Sequence, residues 1–291
     1  MIPRFLGQEG RHLPYDQSRL VVLPVPYEGT VSYGHGAALG PQAILDASEQ
    51  LEMYDEELDA CPDQQGIFTL PALSARETPE AMMADIYQAV LPHVQKDKLV
   101  FLLGGEHSVS YGAFRALLEA RGGKPFSVLQ IDAHADLRAN YQGSPHSHAS
   151  IMARAVDLGL SLVQVGIRAV CQEERDFMRS KGLEANVFWG HQLAALPLDE
   201  WVGQVVQRLG PEVYISLDID GLDPSIVPAT GTPVPGGLGW YPTLSLLRAV
   251  CQARRIVGLD LVELAPQPPH SQASEFLAAR LAYKMMGYAL A

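Results

Sequence analysis

Short apolar runs alternate with segments of helical periodicity along most of this 291-residue chain. The runs that predict strands are residues 20–25, 99–103, 126–129, 162–167, 186–189, 211–217 and 256–262. The predicted helices are residues 42–54, 79–95, 108–120, 147–158, 173–181, 198–209, 242–254 and 271–288, the last of which we expect to be amphipathic. This alternation favours the α/β class, with a mostly parallel sheet covered by helices on both faces and right-handed crossovers.

Two stretches fall outside that alternation. Residues 55–78 are acidic and interrupted by proline, which predicts an exposed connection. Residues 221–239 contain enough glycine and proline to predict an ordered loop at the edge of the sheet. Because no internal repeat and no change in composition divides the chain, we expect a single domain over residues 1–291.

Three side chains of metal-ligand type follow the third predicted strand at intervals of two. They are Asp132, His134 and Asp136, separated by the small Ala133 and Ala135. Successive side chains of an extended strand point to opposite faces, so these three leave the backbone on the same side. The pattern predicts a metal site, with loop capping as the structural alternative.

Two other strand ends carry side chains of the same kinds. The strand at 211–217 is followed by Asp218 and Asp220, and the strand at 99–103 leads into a glycine turn that carries Glu106 and His107. The carboxyl ends of parallel strands line one edge of a sheet, where such folds bind ligands. We therefore expect these side chains to converge.

Charge and cysteine content exclude several other classes. The formal net charge of −12 argues against a nucleic-acid partner and suits a cationic substrate. The three cysteines, Cys61, Cys171 and Cys251, have no C-x-x-C spacing, so neither a disulfide framework nor a thiolate zinc site is predicted. No apolar run approaches the roughly 20 residues of a membrane span, and no export signal is recognisable. We expect a cytoplasmic protein without a membrane partner.

The candidate ligands indicate a particular kind of ion. Oxygen ligands with one imidazole per ion suit manganese(II) or a similar divalent cation. The six candidates are His107, Asp132, His134, Asp136, Asp218 and Asp220. They suffice for two ions that share carboxylates, and the four aspartates would balance the charge of two divalent cations. Without metal the aspartates would repel one another and some would take up protons, which disfavours a metal-free structural role.

Three sequences at these strand ends resemble the metal-binding signatures of the ureohydrolases, the superfamily of arginase and agmatinase. They are Gly-Gly-Glu-His-Ser at 104–108, Asp-Ala-His-Ala-Asp at 132–136 and Ser-Leu-Asp-Ile-Asp-Gly-Leu-Asp-Pro at 216–224. The resemblance runs from the loop at 28–30 to the final helix and includes 230–233 and 262–263. It implies a three-layer α/β/α sandwich, two manganese(II) ions per chain and a homo-oligomer, either a trimer or a hexamer.

The resemblance also implies which residues hold each ion. The first ion would be held by His107, Asp132, Asp136 and Asp218. The second would be held by Asp132, His134, Asp218 and Asp220, so that Asp132 and Asp218 bridge the two ions.

The reaction implied by the resemblance is hydrolysis of a guanidinium group to urea and an amine. Two metal ions can lower the pKa of bound water so that it attacks as hydroxide near neutral pH, and Asp136 would orient that hydroxide. Glu263 would pair with the guanidinium group. A histidine would carry a proton to the leaving amine. The resemblance favours His148 for this role, with His146 as the alternative.

The substrate is less constrained than the reaction. Arginases carry acidic residues after a Gly-Ile-Arg strand that bind the α-ammonium of arginine, whereas here Ala169, Val170 and Cys171 follow. Arginine is therefore disfavoured. The loop at 141–148 resembles that of bacterial and archaeal agmatinases, so the leading prediction is agmatine, converted to putrescine and urea in polyamine biosynthesis. Glu28 is a candidate partner for its distal ammonium. N1-aminopropylagmatine, guanidinobutyrate and guanidine stay open.

Three other functions are weighed against this one. A two-metal phosphoesterase would be expected to add cationic groups for phosphate, and the signature loops offer few. A single-zinc deacetylase would not need His107 together with the pair Asp218 and Asp220. A non-catalytic homologue would not need the complete set of ligands and Glu263. Release of urea from a panel of guanidines would distinguish these functions.

Overall fold

The computed structural model describes residues 3–267 and 271–291, and its strands form one sheet in which every pairing is parallel. The strands are β1 Leu20–Val25, β2 Ile67–Thr69, β3 Leu99–Gly104, β4 Ser127–Ile131, β5 Ser161–Ile167, β6 Val187–Trp189, β7 Glu212–Asp218 and β8 Arg255–Val262. Their order across the sheet is β2-β1-β3-β8-β7-β4-β5-β6. The helices are α1 Gly40–Ser48, α2 Pro79–Val94, α3 Ser110–Ala120, α4 Ile151–Asp157, α5 Gln172–Lys181, α6 Gly190–Leu193, α7 Leu198–Arg208, α8 Trp240–Ala253 and α9 Gln272–Leu290.

Alternate side chains along the strands enter two different hydrophobic cores. In β3, Phe101 and Leu103 pack in a core that includes residues of α1, α7, α8 and α9. Val100 and Leu102 pack in a second core, with residues of α2, α3, α4 and α5. Because neighbouring residues of a strand point to opposite faces, the two cores lie on the two sides of the sheet. This arrangement confirms the predicted three-layer α/β/α sandwich.

The order of the strands places the three sequence signatures and residues 262–263 side by side. Strands β3, β8, β7 and β4 are consecutive neighbours in the middle of the sheet. In register, Ile131 is opposite Leu217 and Asp218 is opposite Val262. The residues that follow these positions therefore emerge at the same edge, as the parallel arrangement predicts.

The prediction that residues 55–78 form an exposed connection holds for residues 71–78 and is wrong for the first part of the stretch. Strand β2 lies within this stretch and pairs with β1, and the side chain of Asp55 is fully buried. Asp55 accepts a hydrogen bond from Lys284 Nζ at 3.0 Å. A strand of three residues among prolines carries too short a pattern to predict, and a partner 229 positions away leaves no local signal.

The last helix also differs from its prediction. It was expected to be amphipathic, but α9 is buried on most of its sides, and even Lys284 is only 1% exposed. Helix α9 packs against both α1 and α8, so little of its surface meets solvent.

Two other helices are shorter in the structure than predicted from the sequence. Helix α1 ends at Ser48 rather than near residue 54. The helix predicted at 147–158 is a 3-10 turn, His148–Ser150, followed by α4. The predicted domain includes residues 1–2 and 268–270, which lie outside the described residues. Of the helices in the described part of the chain, none combines the length and the apolar character needed to cross a membrane.

Candidate active site

The predicted metal ligands converge where β3, β4 and β7 end. His107 Nδ1 lies 3.2 Å from Asp132 Oδ2, 3.1 Å from Asp136 Oδ2 and 3.5 Å from Asp218 Oδ2. His134 Nδ1 lies 3.0 Å from Asp220 Oδ2 and 3.6 Å from Asp132 Oδ1. The carboxylate of Asp132 is therefore between the two histidines, with one oxygen toward each.

Two groups of side chains in this cluster have the spacing of a metal site. The first is His107, Asp132 and Asp218, and the second is Asp132, His134 and Asp220. Within each group one ligand atom per residue lies within 4.8 Å of the others. Asp132 belongs to both groups, which is the geometry required of a shared ligand.

The hydrogen bonds of His107 leave one ring nitrogen free for a cation. Its Nε2 is 2.8 Å from Ser216 Oγ, and the Ser216 hydroxyl donates to Asp260 Oδ1 at 2.9 Å. Since that hydroxyl proton is already used, Nε2 must carry the proton that joins His107 to Ser216. Nδ1 is buried and makes no hydrogen bond to any residue that the structure describes, although three carboxylates face it. The three carboxylates favour a positive charge at Nδ1, and a divalent ion bound there would take the place of a proton.

The electrostatics of the cluster also favour a cation. Burial, together with the charge of Asp132, raises the pKa of Asp136 to about 7. Burial and the neighbouring Asp220 raise the pKa of Asp218 well above its usual value. Burial alone would lower the pKa of His134, but the carboxylates of Asp132 and Asp220 beside its ring raise it to about 12. Protons thus offset the crowded negative charge in the absence of other cations.

A cavity of about 350 Å³ opens onto this cluster. His148 and Glu263 line it together with His134, Asp136 and Asp220. The mouth includes Tyr33, which is 80% exposed.

Two residues predicted for the site lie elsewhere. Among the described residues His146 does not line the cavity, and its ring packs 5.5 Å from that of Tyr111 between centroids. Glu28, predicted to meet a distal ammonium, is also absent from the described lining. Its carboxylate accepts hydrogen bonds from the backbone of Gly36 and Ala38 and from the ring of His35, so it orders its own loop instead.

The sequence model of the arginase family matches residues 18–287 of this chain. This chain belongs to the arginase family. An N(1)-aminopropylagmatine ureohydrolase from Synechocystis sp. is 42% identical over 281 residues, which cover 94% of this chain and 90% of that protein. An agmatinase from Pyrococcus horikoshii is 32% identical over 272 residues, which cover 92% and 90% of the two chains. The solved agmatine ureohydrolase of Thermoplasma volcanium superposes with a TM-score of 0.87 at 28% identity, covering 99% of this chain and 94% of that one.

Two acidic residues of this arginase-family site have an unusual backbone conformation. Asp136 and Glu263 adopt φ angles of +54° and +64°, in the left-handed region that residues with a side chain seldom occupy. Glu263 N donates to Gly105 O at 2.8 Å, and Asp136 O accepts from Met152 N at 3.0 Å. These bonds to neighbouring elements hold a conformation that is costly in isolation.

In this arginase-family chain, residues that were not predicted from the sequence support the candidate ligands. Gln130 Nε2 donates to Asp132 Oδ2 at 2.7 Å, and the Ser216 hydroxyl oxygen accepts a hydrogen bond from His107 Nε2 at 2.8 Å. Gln130 precedes Asp132 by two positions, and Ser216 precedes Asp218 by two. Side chains two positions apart in a strand lie on the same face, so this spacing could have identified both residues from the sequence. Arg168 is different: its guanidinium donates to the carbonyls of Asp220 and Val234, which lie in a distant loop that no local pattern identifies.

Proposed function

We propose that this arginase-family hydrolase converts the guanidinium group of a small cationic substrate to urea and an amine, using two manganese(II) ions. The observation that carries the proposal is one cavity that joins the two ligand groups to Glu263 and His148. One ion would be held by His107, Asp132, Asp136 and Asp218, and the other by Asp132, His134, Asp218 and Asp220. Such ions, when bound, supply Lewis-acid activation of water near neutral pH.

Glu263 would bind and orient the guanidinium group. Burial, together with the charge of Glu106, raises the pKa of Glu263 well above its usual value, so an ionised Glu263 needs a neighbouring cation. One of its oxygens accepts the His107 backbone N–H at 2.7 Å, which fixes the orientation of the carboxylate. A guanidinium group matches the charge and the planar geometry of this carboxylate.

His148 would move the proton that the leaving amine requires. Burial, together with the charges of His134 and His107, lowers the pKa of His148 to about 4. The ring is therefore neutral near pH 7, where it can accept a proton and then donate it to the amine nitrogen as the bond to carbon breaks. His146, which does not line the described cavity, is not in a position to do this.

Agmatine is the substrate that we propose first. Beside the end of β5 the cavity is lined by Ala169, Val170 and Cys171, which offer no carboxylate to an amino acid's ammonium group. The carboxylate of Glu174, which also lines the cavity, is held by the backbone N–H groups of Leu137 and Cys171. A second candidate, N1-aminopropylagmatine, is favoured by the 42% identity to the Synechocystis enzyme, against 32% for the Pyrococcus agmatinase. A single domain, a trimeric or hexameric assembly and a cytoplasmic location stay predictions that accompany this proposal.

A urea-release assay on the manganese-loaded protein tests the proposal. The panel contains agmatine, N1-aminopropylagmatine, guanidinobutyrate, guanidine and arginine. Urea from either of the first two supports it, and the ratio of their kcat/KM values selects between them. The absence of urea from every guanidine at two equivalents of manganese per chain would refute the proposed reaction.

A further inference from the structure

The hydroxyl of Thr30 connects the buried carboxylate of Glu106 to the ring of His148. Thr30 Oγ1 lies 2.7 Å from Glu106 Oε1 and 3.1 Å from His148 Nδ1. The backbone N–H of His148 also donates to Thr30 Oγ1, at 3.0 Å. Both the ring and the backbone of His148 are thus attached to the same oxygen.

The direction of these hydrogen bonds follows from the donors around Glu106. One oxygen of its carboxylate accepts the backbone N–H groups of Gly29 and Thr30, at 2.8 and 2.6 Å. The other accepts the hydroxyls of Thr30 and Ser108. Four donors converge on one carboxyl group, which fits an ionised carboxylate that can only accept.

A threonine hydroxyl has one proton and two lone pairs. The proton of Thr30 is directed to Glu106, so its oxygen can only accept from His148. One lone pair receives the backbone N–H of His148, and the other receives Nδ1, which must therefore be protonated. In a neutral imidazole the remaining nitrogen, Nε2, then has a free lone pair.

We propose that Glu106, acting through Thr30, is a positioning residue that holds His148 in the tautomer with its proton on Nδ1. Nε2 is then the nitrogen that takes up a proton and releases it in the cavity that His148 lines. The Nδ1 proton stays in place throughout, so the ring returns to its starting state after each turnover. This inference rests on the proposed role of His148, but the tautomer itself is independent of the reaction.

The segment that carries Glu106 is held in register with the segment that leads to Thr30. Gly105 N donates to Val25 O and Glu106 N donates to Tyr27 O, each at 2.9 Å. A side chain at Gly105 would place its Cβ 2.0 Å from Tyr27 O, so only glycine permits this approach. The distance between Glu106 and Thr30 is therefore fixed by the backbone, and a rigid support of this kind keeps a proton-transferring ring in its orientation.

The tautomer can be observed directly. Nitrogen NMR of the full chain with labelled histidines distinguishes protonated from unprotonated ring nitrogens, with magnesium in place of paramagnetic manganese and the His148→Asn variant to assign the signal. We expect the Nδ1–H form of His148 in the unaltered protein. In Glu106→Gln the amide group turns its NH₂ toward the Thr30 hydroxyl, whose proton is then free to point at Nδ1, so we expect the Nε2–H form. An Nε2–H form in the unaltered protein would overturn the inference.

Kinetics of two Thr30 variants test whether the support of His148 by Thr30 affects the rate of the reaction. Thr30→Val keeps the shape of the side chain but removes the hydroxyl. We expect kcat to fall by about tenfold to a hundredfold, which is less than the full contribution of a positioned proton-transferring group because the ring of His148 is still present. KM and the affinity for manganese should be unchanged. Thr30→Ser restores the hydroxyl and should restore kcat.

The possible outcomes separate this inference from the proposed function. An unchanged kcat in Thr30→Val, or an equal loss in Thr30→Ser, overturns the positioning role. If the unaltered protein releases no urea, the proposed reaction fails, while the NMR result still decides the tautomer. If Thr30→Val does not fold, the comparison of Thr30→Ser with Glu106→Gln provides the same test. Glu106→Gln keeps all other contacts of Thr30 and reverses only the direction of the hydrogen bond that its hydroxyl makes.

Discussion

The backbone N–H of His107 donates to Glu263 Oε1 at 2.7 Å, which ties a candidate metal ligand to the carboxylate proposed to bind the guanidinium group. Glu263 follows β8 and His107 follows β3, and these two strands are neighbours in the sheet. Any displacement of one residue therefore moves the other. Two substitutions at the same position can separate the charge of Glu263 from this contact.

Glu263→Gln keeps an oxygen that can accept the His107 N–H but removes the negative charge. We expect kcat/KM to fall by about ten- to a hundredfold, since a hydrogen bond to a charged group contributes about 1.5–3 kcal/mol. The affinity for manganese, measured by titration calorimetry, should stay the same. Glu263→Ala removes the acceptor as well, and it should weaken manganese binding in addition. Equal manganese affinities in the two variants would contradict a coupling through His107.

Metal binding should depend on Asp218, which lies in the first ligand group. Asp218→Ala should abolish activity and lower the melting temperature only when manganese is present, because the site contributes stability through the bound ions. Metal analysis of the unaltered protein should give two ions per chain. Asp223 is a matched control, because its carboxylate accepts the backbone N–H groups of Gly236 and Gly237 and belongs to neither ligand group among the described residues. Asp223→Ala should lower the melting temperature equally with and without metal.

The two histidines of the 141–148 loop should differ in their importance. His148→Asn should lower kcat by about a hundredfold or more, the contribution typical of a positioned general acid or base. His146→Asn should leave kcat close to that of the unaltered protein, because His146 packs beside Tyr111 rather than along the described cavity wall. Similar losses in both variants would show that the loop, and not the ring of His148, determines the rate.

Arginine should be a poor substrate. Its α-ammonium and α-carboxylate would enter a part of the cavity lined by Ala169, Val170 and Cys171, none of which is acidic. Glu174 lines the same cavity, but its two carboxylate oxygens already accept the backbone N–H groups of Leu137 and Cys171. We expect kcat/KM for agmatine to exceed that for arginine by about a hundredfold or more, the scale of one unpaired polar group. Comparable values for the two compounds in steady-state assays would rule out this basis of specificity.

The buried Lys284 should stabilise the fold rather than the site. It donates to Asp55, Glu56 and Glu57, and Asp55 is fully buried. Lys284→Met should lower the free energy of unfolding by about 3 kcal/mol, because it leaves a buried charge without its partner. Arg179→Met is the control: Arg179 pairs with Asp176 at 3.1 Å, and both side chains are more than half exposed. Pairs of this kind contribute about 1 kcal/mol or less. Denaturant titrations measure both values.

Sequence periodicity predicted the central strands and the convergence of ligands, since each signature follows an apolar run and the sheet is parallel. It did not predict β2 or the contact of Lys284 with Asp55, because a three-residue strand and a pair 229 positions apart have no local pattern. Gln130 could have been found from its spacing to Asp132. Glu28 was a candidate partner for the distal ammonium because it follows β1, but its carboxylate accepts hydrogen bonds from the backbone of its own loop.

The position of β8 has a consequence for synthesis of the protein. It is the last strand in the described sequence, yet it lies between β3 and β7 in the middle of the sheet. Until the ribosome has released residues 255–262, β2-β1-β3 and β7-β4-β5-β6 are two separate half-sheets with no backbone pairing between them. Glu263 follows immediately, so the nascent chain gains its central strand and the carboxylate that we propose binds the guanidinium group at the same moment. A chain that stops before β8 therefore carries His107 on one half-sheet and the four aspartates of the candidate metal site on the other. The complete set of candidate ligands comes together only after residues 255–262 join the two halves.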